Sequence, residues 1–206
     1  MRCCLSRRPG SRHSPRARAA EPITFIFTGS GTGSVGTTSF ADAAFTITGH
    51  GDTAARLDDG GAGVYWIDHV AADIAIAGLG DFTFVTPTRT FVNNNVDLAG
   101  FSRAGLVGSD LYYGPQDPVL EGWNMLGPVG PLSGSGQILQ WDNPTQYGAV
   151  LTSGGELIIN SGNPPATFEA TVGIALVPEP ETYAMLLAGM GLIGFVARRR
   201  RSVIAA

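Results

Sequence analysis

The sequence contains no lysine, and all 13 of its basic residues are arginine. This absence excludes a P-loop, a Schiff-base lysine and a Ser-Lys dyad. The sequence has two cysteines, Cys3 and Cys4, at its very start. If that segment is removed, neither disulfides nor thiolate metal sites can form. The fold must then depend on its apolar core.

Charged residues are also scarce, at 15% of the 206 residues, and they are unevenly distributed. Ten of the 13 arginines lie within residues 1–18 and 198–201. Residues 21–177 therefore carry three arginines against 15 acidic residues, a net charge of −12. An acidic body repels phosphate backbones. The sequence predicts no nucleic-acid partner.

Apolar and polar residues alternate in many short segments, which is typical of half-buried strands. In the last segment Phe168, Ala170, Val172, Ile174 and Leu176 share one face. The predicted strands are 23–28, 45–48, 65–67, 73–77, 82–84, 91–92, 111–113, 149–151, 157–159 and 168–176.

Glycine-rich and Asn-rich segments separate these strands and predict turns at 29–36, 58–63, 93–95 and 161–165. Five prolines between residues 114 and 145 predict a long irregular excursion there. Short strands with turns between them and no helical periodicity indicate an all-β fold. We expect an antiparallel β-sandwich or jelly-roll-like body, followed by a single C-terminal transmembrane helix.

The N-terminal segment, residues 1–20, is rich in arginine, lacks acids and closes on Ala17-Arg18-Ala19. A motif of this kind suits signal peptidase, but the apolar region that a secretory signal needs is missing. We interpret the segment as the remnant of a signal peptide that is defective or whose start is wrongly assigned. The alternative is a disordered basic tail.

Near the other end, an uncharged apolar run is followed at once by four arginines. As a helix, its 15 residues would span about 22 Å of a bilayer core of about 30 Å. The arginine block should stay in the cytoplasm, which places the body across the membrane. The predicted span is Tyr183, Ala184, Met185, Leu186, Leu187, Ala188, Gly189, Met190, Gly191, Leu192, Ile193, Gly194, Phe195, Val196 and Ala197, and the cytoplasmic stop is Arg198, Arg199, Arg200 and Arg201.

A Pro178-Glu179-Pro180 box precedes this run. The order of box, short apolar span and arginine cluster resembles the PEP-CTERM sorting signal of exported proteins from Gram-negative bacteria that make exopolysaccharide. The resemblance implies that exosortase, a membrane protease-transpeptidase, recognises the box and removes the helix. It implies two partners, exosortase and the inner membrane.

These features divide the chain into a basic segment (1–20), an acidic β-sandwich ectodomain (21–177) and a sorting and anchor segment (178–206). We expect an exported protein that passes through an inner-membrane intermediate with a periplasmic body, then reaches the cell surface or extracellular matrix. The first hypothesis is a non-enzymatic envelope or matrix protein. The alternative is an exported protein that binds exopolysaccharide like a lectin, or acts on polysaccharide.

Candidate sites in the body are few, and no catalytic residue is predicted. Asp68-His69 is the only pair of neighbouring acidic and histidine residues in the body. Because neighbours on a strand point to opposite faces, we expect a surface or strand-end histidine rather than a catalytic one.

The aspartates in the glycine-rich turns could bind Ca²⁺, but acidic residues in such turns are usually solvated. We therefore expect no metal site and no other cofactor. Four aromatic residues could form a sugar-stacking platform or belong to the core: Tyr112, Tyr113, Trp123 and Trp141.

Overall fold

The computed structural model describes residues 20–105, 109–139, 141 and 144–173. The described chain is all-β with antiparallel sheets, as predicted from the alternation. The predicted transmembrane helix, the Pro-Glu-Pro box and the arginine block lie outside these residues. Within them, no helix has the length and apolarity needed to cross a membrane.

Most strands follow one another with short connections, and little of the described chain is helical. In chain order the described strands are β1 (Pro22–Val35), β2 (Thr38–Asp52), β3 (Leu57–Asp58), β4 (Val64–Asp68), β5 (Ala71–Ile76), β6 (Gly80–Thr83), β7 (Thr88–Asn93), β8 (Leu98–Arg103), β9 (Asp110–Gln116), β10 (Val129–Ser135), β11 (Gln137–Ile138), β12 (Leu151–Thr152), β13 (Gly155–Ile159) and β14 (Pro165–Val172); 3₁₀ turns cover Thr53–Ala55 and Pro118–Gly122, and α1 covers Pro144–Tyr147.

These strands form two sheets in the described part of the chain. Sheet I has the order β10-β14-β1-β2-β5-β6, with β13 also paired to β1 and β12 paired to β13. Sheet II has the order β11-β9-β8-β7-β4-β3. The long β1–β2 hairpin is the centre of sheet I: β1 pairs with β2 on one side and with β14 and then β13 on the other.

Side chains from both sheets meet in one core. Phe27 of β1 lies 6.3 Å from Phe101 of β8 and 6.2 Å from Tyr112 of β9, measured between ring centroids. On the same side of sheet I, Phe27 packs at 4.6 Å against Phe168 of β14. All four rings are completely buried. Rings of this size each bury roughly 150–250 Å², so the aromatic contacts provide much of the stabilisation between the sheets.

The turn predicted at 29–36 is wrong, because β1 continues as a strand to Val35. Its glycines are required by close packing rather than by a turn. A Cβ on Gly29 would lie 2.6 Å from both Phe45 Cζ and the Tyr112 hydroxyl, and one on Gly31 would lie 2.7 Å from Ile159 Cγ2. The turn itself is confined to Gly36 and Thr37, where Gly36 has a φ of +56°.

We expect Gly33→Ala to destabilise the fold strongly. The added methyl carbon would lie 1.9 Å from the carbonyl oxygen of Ile158, so β1 and β13 would have to separate. Overpacking of this kind costs about 3 kcal/mol, or roughly 10 °C in melting temperature for a chain of this size. Thermal melting followed by circular dichroism measures the shift.

The matched control is Gly122→Ala, where nothing lies within 4 Å of the added methyl. Its melting temperature should stay within about 2 °C of the wild type. Equal melting temperatures for the two variants would show that the β1–β13 contact is looser than the structure indicates.

The irregular excursion predicted for 114–145 is wrong in part. It contains β10, paired with β14, and β11, paired with β9. Pro131 is tolerated because β10 is the edge strand of sheet I and its register shifts between Val129 and Leu132. Proline, which lacks an N–H, is found in sheets at edges and bulges.

Strand β8 was not predicted, because it lacks alternation: every residue from Leu98 to Arg103 is buried. One side of the strand faces the shared core. The other side carries Gly100, which is covered by the rings of Phe91 and Tyr113. A strand that is covered on both faces does not alternate between polar and apolar residues, so its sequence does not show the pattern by which strands are predicted.

Candidate functional site

Three of the four aromatic residues predicted to form a sugar-stacking platform belong to the core, so that prediction is wrong for them. Trp141 and Tyr112 are 0% exposed and Trp123 is 8% exposed. The Tyr112 hydroxyl donates to the backbone oxygen of Thr28 at 2.8 Å, and the Trp123 indole N–H donates to that of Gly127 at 2.9 Å. Burial of the three rings leaves no face for a ligand.

The fourth, Tyr113, faces the other way and is partly exposed. Neighbouring residues on a strand point to opposite faces, so burial of Tyr112 places Tyr113 on the outer side of sheet II. In the same way, Ile67 and Val92 are fully buried in the core, while their neighbours Trp66 and Phe91 point outward.

The strand register aligns these outward residues directly across sheet II. Trp66 pairs with Phe91, Phe91 with Gly100, and Gly100 with Tyr113. We call Trp66, Phe91, Gly100 and Tyr113 the outer row. Two of its rings are in contact, because Phe91 and Tyr113 lie edge to face with centroids 6.0 Å apart.

A polar row and a mixed row, with one leucine, run along the two sides of the outer row. On one side the register aligns Arg89, Ser102 and Asp110, and on the other it aligns Asn93, Leu98 and Gln116. The Arg89 Nε donates to the Ser102 hydroxyl at 3.0 Å, and the Arg89 guanidinium lies 5.6 Å from the centre of the Trp66 ring.

Asp110 and Tyr113 are joined by a hydrogen bond in which the Tyr113 hydroxyl donates to Asp110 Oδ2 at 2.8 Å. Burial raises the pKa of the Asp110 carboxyl, while this hydrogen bond and the charge of Arg89 act in the opposite direction. Burial, and then the neighbouring carboxylate, raise the pKa of the Tyr113 phenol. The phenol is therefore a hydrogen-bond donor at neutral pH, not a base.

An open groove of about 490 Å³ follows the Tyr113 end of the outer row. Its lining combines the Phe91 and Tyr113 rings with the amide side chains of Asn93, Gln116 and Gln137. Among the described residues that line the groove, Asp110 is the one carboxylic acid. The groove therefore combines aromatic rings with amide hydrogen-bonding groups and one carboxyl group.

His69 lies at the connection from β4 to β5, where the chain crosses between the sheets, and its ring enters the core rather than the surface. The ring stacks on Phe101 at 5.6 Å with an angle of 22° between the planes. Its Nδ1 bonds to the Thr88 hydroxyl and its Nε2 to the Thr90 hydroxyl, both at 2.9 Å. Burial, followed by repulsion from His50, lowers the pKa of His69 to about 3. The residue is strand-terminal, as predicted, but it is a packing residue and not a surface one.

The aspartates of the glycine-rich turns bond to their own backbone. Asp58 Oδ1 accepts from the Gly60 N–H at 3.0 Å, and Asp59 Oδ1 accepts from the Ala62 N–H at 2.9 Å. Asp52 likewise accepts from Ala54 at the start of the first 3₁₀ turn. These carboxylates close turns, as such residues commonly do. No group of three metal-ligating side chains occurs within the described ranges.

The last described strand, β14, leads toward the Pro178-Glu179-Pro180 box. A domain that precedes a box, an apolar run and an arginine block has the organisation of an exported protein with a C-terminal sorting signal. Residues 176–201 match the PEP-CTERM protein-sorting motif. The chain is thus an exported protein that is targeted to exosortase through a membrane-passing pathway. No curated protein and no solved structure matches it.

Proposed function

We propose that this protein is a non-enzymatic component of the cell surface or extracellular matrix, with a β-sandwich domain as its exported part. The observation that carries the proposal is the sorting motif at residues 176–201, which begins four positions after the last described strand ends. In this scheme residues 183–197 hold the domain at the inner membrane as an intermediate. Exosortase then processes the chain at Pro178, Glu179 and Pro180.

The groove on sheet II supports binding rather than hydrolysis. Glycoside hydrolysis needs two carboxyl groups about 5–10 Å apart. Among described lining residues the groove contributes Asp110 alone, and Tyr113 already donates to that carboxyl. Both ring nitrogens of His69 are hydrogen-bonded to threonine hydroxyls in the core. Neither nitrogen is therefore placed to act as a general base on a substrate in the groove.

Exopolysaccharide binding is the second candidate, and the outer row favours it. The row places partly exposed Trp66 and Tyr113 on one face of sheet II, with amide side chains near Tyr113. Aromatic faces with neutral hydrogen-bonding groups suit sugar rings. The net charge of −12 over residues 21–177 opposes binding to nucleic acids and to other polyanions.

The test is to determine the cellular location and the mass of the mature protein. We expect fractionation to place it in the cell-surface or matrix fraction. Intact mass spectrometry should show an N-terminus near Glu21 and, at the other end, loss of a segment that begins at the Pro178-Glu179-Pro180 box and includes residues 183–206. A protein found with its arginine block intact in the cytosol would contradict the proposal.

A further inference from the structure

We infer that the outer row of sheet II is the binding site for an extended, uncharged polysaccharide, with Trp66 and Tyr113 as its two stacking surfaces. This inference deepens the second candidate function and depends on that candidate being correct. It does not depend on how the tail is processed, so the binding site and the sorting pathway can be refuted separately.

The register sets the length and direction of the site. Trp66 on β4 and Tyr113 on β9 are separated by β7 and β8, which amounts to three strand spacings or about 14 Å. The row runs across the strands, and its two end residues, Trp66 and Tyr113, are partly exposed. An extended chain of sugar rings fits such a line better than a single monosaccharide does.

Gly100 and Phe91 determine how the row is shaped. A Cβ on Gly100 would lie 2.4 Å from Phe91 Cζ and 3.1 Å from Tyr113 Cδ1, so both rings lean over the glycine. Phe91 is only 9% exposed. It therefore acts as a positioning residue that fixes the orientation of Tyr113, while Trp66 and Tyr113 provide the accessible ring surface.

The polar groups beside the rings determine the class of ligand. Asp110 retains acceptor capacity beyond the one hydrogen bond from Tyr113, and Asn93, Gln116 and Gln137 offer both donors and acceptors. Sugar hydroxyls are donors and acceptors and match this set. A uronic-acid polymer would meet the Asp110 carboxylate and the acidic body, so the site favours neutral sugars.

The experiment is affinity electrophoresis of the full chain in mild detergent, with gels containing hydroxyethylcellulose, galactomannan, dextran or alginate. We expect at least one of the three neutral polymers to retard the protein and alginate not to. Trp66→Ala and Tyr113→Ala should each weaken binding roughly tenfold, because each removes one stacking surface. Tyr113→Phe keeps the ring and should stay within about threefold of the wild type.

Leu151→Ala is the matched control, because it removes an exposed apolar side chain from β12, which belongs to sheet I. It should bind like the wild type. Circular dichroism shows which variants are folded, and either alanine variant keeps the test valid if the other does not fold. Absence of retardation by all three neutral polymers, stronger retardation by alginate, or unchanged binding in both alanine variants would overturn the inference. Normal sorting without binding would leave the envelope role intact.

Discussion

Glu179→Gln is expected to leave the protein in the inner membrane with its tail attached. The substitution removes the charge at the centre of the Pro-Glu-Pro box, within the matched motif. Because the apolar run and the arginine block are unchanged, the chain should still insert and stop in the membrane. Immunoblots of membrane and released fractions should show the processed form decreasing from nearly all of the protein to almost none.

Glu169→Gln is the matched control, since it makes the same chemical change at a partly exposed position in β14, outside the motif. It should be processed like the wild type. If the Glu179 variant were released at the wild-type rate, the box would not be the recognition element.

Acidification should destabilise the domain through His69. In the unfolded chain its pKa is about 6.5, whereas burial holds the pKa of the folded state at about 3. Between these values the unfolded state binds a proton that the folded state does not. The contribution of neutral His69 to the free energy of unfolding is therefore complete above pH 6.5. It is lost as the pH falls toward 3, at about 1.4 kcal/mol per pH unit.

Urea unfolding at pH 7 and pH 5 tests this effect. We expect the wild type to lose about 2 kcal/mol from this residue between the two values. His69→Gln keeps a hydrogen-bonding side chain near Thr88 and Thr90 but has no titrating ring, so its loss should be smaller by that amount. His50→Gln, at the partly buried histidine bonded to Thr24, should keep most of the wild-type loss. Equal pH dependence in the wild type and His69→Gln would contradict the burial of this ring.

Sequence alternation predicted the strands that have one face in the core and one outside. β14 is an example, since Phe168 and Ala170 are buried while Glu169 is not. Residues 174 and 176, predicted to extend that strand, lie outside the described residues. Alternation failed for β1 beyond Gly29, because glycine looks like a turn residue whether it is chosen for a positive φ or for lack of a side chain. Only the opposing Phe45 and Ile159 distinguish the two cases.

The binding face could have been predicted better than it was. Tyr112 and Tyr113 are neighbours on one strand, so at most one of them could face a ligand. Trp66 lies beside Ile67 in a segment that was predicted as a strand, and an apolar core position at 67 implies an outward position at 66. That Trp66, Phe91 and Tyr113 fall in one line, however, depends on the register of four strands, which no local pattern contains.

In the proposed membrane intermediate, the place of β14 in sheet I determines how the domain resists tension applied at its C-terminal end. The strand lies between two partners, since Thr167 pairs with Thr28 of β1 and with Ser133 of β10. A pull along the strand therefore acts in shear on two hydrogen-bonded ladders together and cannot peel them apart one bond at a time. An edge strand in this position would be held by one ladder instead of two, so this topology strengthens the hold of the sheet on the strand that leads to the sorting segment.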